Sequence, residues 1–233
     1  MAAPTEWQTA TVVGITDETR RAKTFRLRPE HPRPHLAGQH YVIRLSAPYG
    51  YTASRSYSIA SAPDEGSELD FTVERLDGGE VSAFLHDVVE PGDELEVRGP
   101  LGGWFVWDGA TPALLVGGGS GVVPLMAMLR LARRTGRRDL LRLVVSVRSP
   151  EDLLYAAELC GPETTVVFTR HGPPDAVRPP GRLRADDLPP LPAPGGRAYV
   201  CGSAGFADAA TELIMAAGLP ASDIRVERFG PTA

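Results

Sequence analysis

What most constrains the fold of this chain is a change of hydrophobic rhythm near residue 111. Before it, short runs alternate apolar and polar residues with the two-residue period of half-buried strands, at 6–16, 22–28, 40–46, 54–60, 68–76 and 93–98. Turn-forming residues punctuate them: Pro32, Pro34 and Gly38, then Asp64-Glu65-Gly66-Ser67, then Pro91-Gly92-Asp93. Six short strands spaced in this way point to a small antiparallel barrel or sandwich. A single helix is expected among them, over 81–87. Its entry, Asp77-Gly78-Gly79-Glu80-Val81-Ser82, sets glycines at a helix N-terminus, where free N–H groups and the dipole suit an anion.

Past residue 111 strands and helices alternate. Strands are expected at 113–116, 140–148, 164–169, 198–201 and 224–227, and helices at 122–134, 151–159 and 206–217, the last ending at Gly218. Such alternation is the pattern of a parallel sheet with helices on its faces, the nucleotide-binding architecture. Residues 172–196 hold eight prolines and little periodicity, and read as an irregular, functionally silent connection. The break at Asp108-Gly109-Ala110-Thr111-Pro112 divides the chain into expected domains 1–108 and 109–233, each of roughly 100 residues.

Composition removes several classes of function. A net charge of −5 with no basic run argues against a nucleic-acid partner. Residues 1–10 lack a cationic and apolar signal pattern, and no run approaches the length of a membrane span, so a cytoplasmic protein with no membrane partner is expected. Cys160 and Cys201 lie far apart and form no CxxC pair, whereas an iron–sulfur cluster takes four thiolates; none is expected. His31, His35 and His40 sit among Pro32, Pro34 and Gly38 with no matched cysteine or carboxylate. They read as a solvated loop, and no metal ligand is assigned. His86 reads as a packing or capping residue, and the run Trp104-Phe105-Val106-Trp107 as core where the two halves meet.

Two stretches carry chemistry. In Ser54-Arg55-Ser56-Tyr57-Ser58-Ile59-Ala60-Ser61, closed by Pro63, alternation puts Arg55, Tyr57 and Ile59 on one side and Ser56 and Ser58 on the other. Arg provides a fork for phosphate, Tyr a stacking face, and Ser a hydrogen bond small enough to let a ring approach. The set suits a flat heteroaromatic cofactor with a phosphate tail. The second stretch, Gly117-Gly118-Gly119-Ser120-Gly121, follows a strand and precedes a helix, the context of a phosphate cradle. It matches neither GxGxxG nor a P-loop, and Pro124 suits the first turn of the helix that follows. Arg148 and Arg170 close the next two strands near the expected ribose position, where they can fork onto a 2′-phosphate; equally, they are the solvated arginines of an Arg-rich chain.

Arg55-x-Tyr57-Ser58 with Ala60-Ser61-x-Pro63 resembles the flavin-binding motif of the ferredoxin–NADP reductase superfamily. Gly99-Pro100-Leu101-Gly102, the run from Gly117 to Pro124, Cys201-Gly202-Ser203 and Glu227-Arg228-Phe229-Gly230 resemble its remaining landmarks, in order and over nearly the whole chain. The resemblance implies a two-domain fold, a six-stranded antiparallel Greek-key barrel followed by an α/β parallel-sheet nucleotide-binding domain. It implies that Arg55 binds flavin phosphate, that Tyr57 flanks the ring system, that Ser58 hydrogen-bonds near flavin N5, and that Ser56 is among the cofactor-binding residues. Gly79, Val81 and Ser82 would approach the pyrophosphate of FAD, which is favoured over FMN.

Gly118, Gly119, Ser120, Gly121 and Pro124 would hold the nicotinamide nucleotide. Cys201 and Gly202 would sit by the nicotinamide, with Glu227 and Phe229 completing the catalytic set. With Arg148 and Arg170 as cations the expected cofactor is NADPH, NADH being the other candidate. The implied activity is hydride transfer from NAD(P)H to FAD, then electron delivery to a separate protein, namely a ferredoxin, a flavodoxin, or an oxygenase or other metalloenzyme subunit. A flavin reductase that releases free reduced flavin and a non-catalytic flavin-binding subunit are the alternatives. Many relatives carry a fused iron–sulfur domain; here the chain is expected to act without one. It also departs from plant-type members, which end on an aromatic residue, whereas three residues follow Gly230.

Overall fold

A computed structural model describes residues 6–47, 49–64 and 66–230. Six strands make the first half: β1 (Gln8–Thr19), β2 (Ala22–Pro29), β3 (His40–Ser46), β4 (Thr52–Ser58), β5 (Leu69–Glu74) and β6 (Glu94–Leu101). They form one sheet in the order β4-β3-β6-β1-β2-β5, with every pair antiparallel. A bridge between Ile59, just past β4, and Phe71 of β5 joins the two outer strands, and Ala60 N donates to Asp70 O at 2.7 Å. The sheet therefore curls back on itself, and the edges that would otherwise expose unpaired N–H and C=O groups are covered.

Inside lie the alternate residues that the two-residue period marks, among them Val12, Phe25, Leu27, Tyr41, Ile43, Phe71 and Val97. The helix α1 (Glu80–Asp87) plugs the barrel with Val81 and Leu85 and packs beside β4 and β5. His86 is buried against Phe25 and bonds the Val73 carbonyl through Nε2 at 2.8 Å, the packing role expected of it.

The second half is a five-stranded parallel sheet: β7 (Ala113–Gly118), β8 (Leu141–Val147), β9 (Thr164–Phe168), β10 (Arg197–Ser203) and β11 (Ile224–Phe229), in the order β11-β10-β7-β8-β9. Its inner strands β7, β8 and β10 are buried on both faces, so their alternate residues serve two cores. Leu115, Leu143, Val145 and Tyr199 face α2 (Val122–Arg134). Leu114, Val116, Val144 and Val200 face α3 (Ala204–Ala216), together with Leu183, Leu188 and Leu191 from the proline-rich connection. That connection is irregular apart from one 3-10 turn, Ala185–Asp187.

Three expectations need correction. The helix expected over 151–159 is absent; the segment forms two separate 3-10 turns, Pro150–Asp152 and Ala156–Glu158. Tyr155 between them is left-handed (φ 56°), and its buried hydroxyl bonds Thr72 of the barrel. A contact across the molecule thus overrides the local helical pattern. His35 and His40 are not solvated: His35 is buried with Nε2 toward the Ser61 carbonyl at 3.3 Å, and His40 opens β3 half-buried, while His31 is exposed. Trp104 is 64% exposed while Phe105 and Trp107 are core, because the run is extended and its side chains alternate.

Candidate functional site

Parallel sheets bind ligands outside the carboxyl ends of their strands, where the strand order reverses. Here the chain starts at β7, proceeds outward through β8 and β9, then returns to the other side of β7 as β10, so the reversal lies between β7 and β10. The glycine run leaves β7 at that point as a 3-10 turn, Gly119–Gly121, feeding directly into α2, with Pro124 in the first helical turn. Gly121 is required by close approach, since a Cβ there would lie 2.2 Å from the Cys201 carbonyl oxygen. Gly119 has φ +55° and open space where a side chain would point, which leaves its backbone accessible. Gly118 and Gly202 both back onto the Phe206 ring.

The neighbouring strand ends bring in the rest of this half. Register places Cys201 level with Gly117 on one side and Glu227 on the other, and Ser203 level with Phe229. Cys201 is fully buried; burial, and secondarily the Glu227 carboxylate, push its thiol well above the usual range, so it is neutral. The Glu227 carboxyl is pushed up to about 7 by burial, and its Oε2 is shielded from solvent with no hydrogen-bond partner among the described residues. Phe229 packs half-buried on the same core as Cys201. Arg148 and Arg170 follow β8 and β9 on exposed ground, joined by an Arg170 N to Arg148 O bond of 3.0 Å. Among the described residues neither enters an ion pair, so both remain available to an anion.

On the barrel side β4 carries the second cluster. Arg55 and Ser56 are exposed, Tyr57 is half-buried with its phenol pushed up to about 12 by desolvation, and Ser58 is buried. Among the described residues Arg55 bonds only the adjacent Ser54 carbonyl, through Nη1 at 2.8 Å. The N-terminus of α1 adjoins this strand, and Tyr51 OH donates to Glu80 Oε2 at 2.9 Å, tying the β3–β4 turn to the helix start. Gly79 is the N-cap, with no side-chain cap. Val81 is buried, and the Ser82 hydroxyl is committed within the turn, accepting from Leu76 N at 3.2 Å and donating to Gly79 O at 3.1 Å. Any contribution of this stretch to an anion is therefore through its backbone N–H groups.

Between the two halves lies a cleft of about 110 Å³, lined by Gly38, His40, Gly102, Trp104, Val226 and Glu227; Glu227 is the member of the two clusters that lines it. His40 is level with Ser58 across the β3–β4 ladder and lines the same cleft as Glu227. Burial holds the His40 imidazole below its ordinary pKa. Trp104 is the outer wall of the cleft, with the Arg225 guanidinium 3.9 Å from its ring centroid. Neither His40 nor Trp104 was singled out by sequence as a site residue. The Gly38-Gln39-His40 turn and the Gly99-Pro100-Leu101-Gly102 motif are the local signals near them, and neither says by itself what faces it.

This arrangement leaves several capacities unused by the chain itself: a cation at Arg55, a half-buried aromatic at Tyr57, an open backbone turn at Gly119, and an unpartnered buried carboxyl oxygen at Glu227. They suit a planar ring system with phosphates on the barrel and a second nucleotide on the sheet.

Comparison with known proteins agrees. Residues 9–106 match the model of the oxidoreductase FAD-binding domain. The chain is 29% identical to the reductase component of propane 2-monooxygenase from Rhodococcus jostii (strain RHA1), over 94% of this chain and 62% of that protein. It is likewise 29% identical to the ferredoxin–NAD(P)(+) reductase component of the naphthalene 1,2-dioxygenase system of Pseudomonas putida, over 95% and 68%. The chain thus spans about two thirds of the length of these relatives. Among solved structures, the FAD/NAD-binding domain of nitric oxide dioxygenase from Vibrio cholerae O1 biovar El Tor superposes with a TM-score of 0.85 at 25% identity, covering 96% of this chain and 99% of that one. With a flavin-domain match over residues 9–106, relatives along nearly its full length and the same two-sheet architecture, the chain is similar to members of the ferredoxin–NADP reductase superfamily.

Proposed function

We propose that the chain takes reducing equivalents from NADPH, or from NADH, on a bound FAD and delivers them to a separate redox protein. The observation that carries this reading is the cleft that His40, paired with Ser58 of β4, and Glu227, paired with Cys201 of β10, line together. The flavin half extends to about residue 108 and the nicotinamide half begins at 109. FAD, when bound, supplies the chemistry of accepting a hydride and returning its electrons singly. The residues then divide the work of binding, orienting and proton control.

Arg55 and the backbone of the Gly79–Ser82 turn hold phosphate, Ser56 and Tyr57 border the ring system, and Ser58 orients it by a hydrogen bond. The Gly118–Gly121 turn, with Pro124 beginning the helix behind it, receives the pyrophosphate of the nicotinamide nucleotide. Arg148 and Arg170 receive a 2′-phosphate, which favours NADPH. Cys201 and Gly202 offer a neutral, closely approachable floor for the nicotinamide. Glu227, poised near neutrality, holds or releases a proton at its carboxyl oxygens, and Phe229 closes the side of the site.

The acceptor belongs to the class served by the reductase relatives, a ferredoxin or an oxygenase component, with a flavodoxin as the third candidate. No helix among the described residues is long and apolar enough to cross a membrane. We place the protein in the cytoplasm, where the nicotinamide pool is found. The test is an absorbance spectrum of the purified protein, followed by anaerobic addition of NADPH and then NADH, then of an oxidised ferredoxin. Flavin bands that bleach and recover on adding the acceptor are expected. A protein that neither carries flavin nor binds added FAD would overturn the reading, and one that releases its flavin on reduction would be a flavin reductase instead.

A further inference from the structure

Helix α2 has a distinct task at each end. It begins at the glycine turn, and one turn before its end it reaches back to the barrel. Arg130 and Arg134, four residues apart and so on one face, donate to backbone carbonyls of the segment that continues β4: Arg130 Nη1 to Ala60 O at 2.8 Å, and Arg134 Nη2 to Pro63 O. Arg130 is also held on its other sides. Its Nε donates to Glu158 Oε2 at 3.0 Å, its Nη2 donates to Glu158 Oε1, and its guanidinium carbon lies 4.9 Å from the Tyr155 ring centroid.

Tyr155 extends the chain of contacts into the barrel wall. Its hydroxyl bonds Thr72 Oγ1 in β5, which lies 2.6 Å from Thr24 Oγ1 in β2. Thr24 in turn donates to Glu18 Oε1 at 2.7 Å, and Glu18 Oε2 accepts from Tyr155 N at 3.4 Å, closing a ring. Around this polar ring the contact between the two halves is apolar, made by Ala22, Ala37, Ala60, Phe105, Met126 and Leu129. Apolar packing tolerates sliding, whereas a forked and stacked guanidinium does not.

We infer that Arg130 is a positioning residue for hydride transfer. It fixes the Ala60 carbonyl, two residues beyond Ser58, against a helix whose first turn, about 13 Å away at 1.5 Å per residue, is the nicotinamide-binding turn. The glycine turn and the flavin strand thereby keep one separation, and misplacement by about 1 Å in such a geometry can cost on the order of 100-fold in rate. This inference rests on the hydride-transfer reading above.

The test compares Arg130→Met, which keeps length and apolar bulk, with Arg130→Lys, which keeps the charge without the fork, both in the FAD-loaded protein. Two readouts are taken: the limiting rate of anaerobic flavin reduction against NADPH affinity, and hydrogen exchange of the amides at 60–62 before any nicotinamide is added. For Arg130→Met the limiting rate should fall about 10- to 100-fold with NADPH affinity within about twofold of wild type. Exchange at 60–62 should quicken, and Arg130→Lys should recover part of both losses. A wild-type rate, a loss confined to NADPH affinity, or unchanged exchange would overturn the inference.

If Arg130→Met does not fold, Thr72→Val cuts the same network from the barrel side. It should lower the limiting rate about 3- to 10-fold with faster exchange at 60–62, and wild-type behaviour there would be equally fatal. Should the wild-type flavin not bleach with either nicotinamide, the functional reading fails by itself, and the exchange data still decide whether Arg130 pins the two halves.

Discussion

Replacing Glu227 by glutamine should abolish a pH dependence of stability that the wild-type chain carries. The carboxyl is pushed from its ordinary 4.5 to about 7 because burial disfavours its charged form, and nothing among the described residues solvates Oε2. Between those two values the folded chain holds a proton that the unfolded chain has released. Stability contributed by this group is therefore full below about pH 4.5, declines as pH rises to about 7, and is flat beyond. At about 1.4 kcal/mol per pH unit over that interval, the charged carboxylate costs at most about 3 kcal/mol above pH 7. Glutamine imitates the neutral acid in shape and has no charge to bury. The assay is thermal or urea unfolding of both proteins, saturated with FAD, from pH 5 to pH 8.5; other titrating groups cancel in the difference. At pH 5 the two should differ by less than about 1 kcal/mol, and at pH 8 the glutamine variant should be the more stable, by up to about 10 °C for a chain of this size. Curves that stay parallel across the range would refute the reasoning, because they would mean that Glu227 ionises as freely in the folded chain as in the unfolded one.

Further expectations concern the glycine turn, cofactor choice and the barrel core. Gly121→Ala sets a methyl 2.2 Å from the Cys201 carbonyl oxygen with backbone on both sides, so it should cost about 3 kcal/mol or more, whereas Gly119→Ala meets no atom and should cost only about 1–2 kcal/mol for its positive φ; the urea midpoints of the pair check the contrast. Arg148→Ala should lower the preference for NADPH over NADH about 10- to 100-fold, the worth of a charge-assisted hydrogen bond to phosphate, and an unchanged ratio of kcat/KM values would assign the 2′-phosphate elsewhere. Phe71→Ala, which removes a fully buried ring packed edge-on against Tyr41 at 5.6 Å, should destabilise the barrel by about 3–5 kcal/mol in denaturant unfolding.

Much of the fold was legible in the sequence because its signals are local. The span 122–134 is found as a helix with both ends as expected, since a glycine turn starts it and its periodicity is unbroken. Strand β3 likewise occupies 40–46 as expected. Where the chain bends to a distant partner, local rhythm misleads. Residues 151–159 have helical spacing, yet Tyr155 turns left-handed to reach Thr72, 83 residues earlier in the chain. Trp104 has the character of core but falls on the outward phase of an extended run, beside Arg225.

By itself the sequence determined the order of the strands and of helices α1, α2 and α3, the glycine turn at Gly118–Gly121, and the mixture of cation, aromatic and hydroxyl at Arg55–Ser58. Each of these depends on residue type and on spacing within a few residues, which the chain carries in any conformation. Tertiary structure decided what those pieces face: that His40, level with Ser58, lines one cleft with Glu227, that Glu227 is buried enough to ionise near neutrality, and that Arg130 bolts the helix behind the glycine turn to the segment that continues β4. Burial and pairing across separations of 70 residues and more are properties of the closed molecule, because the dielectric around a group and the partner for a donor exist only once both halves have come together.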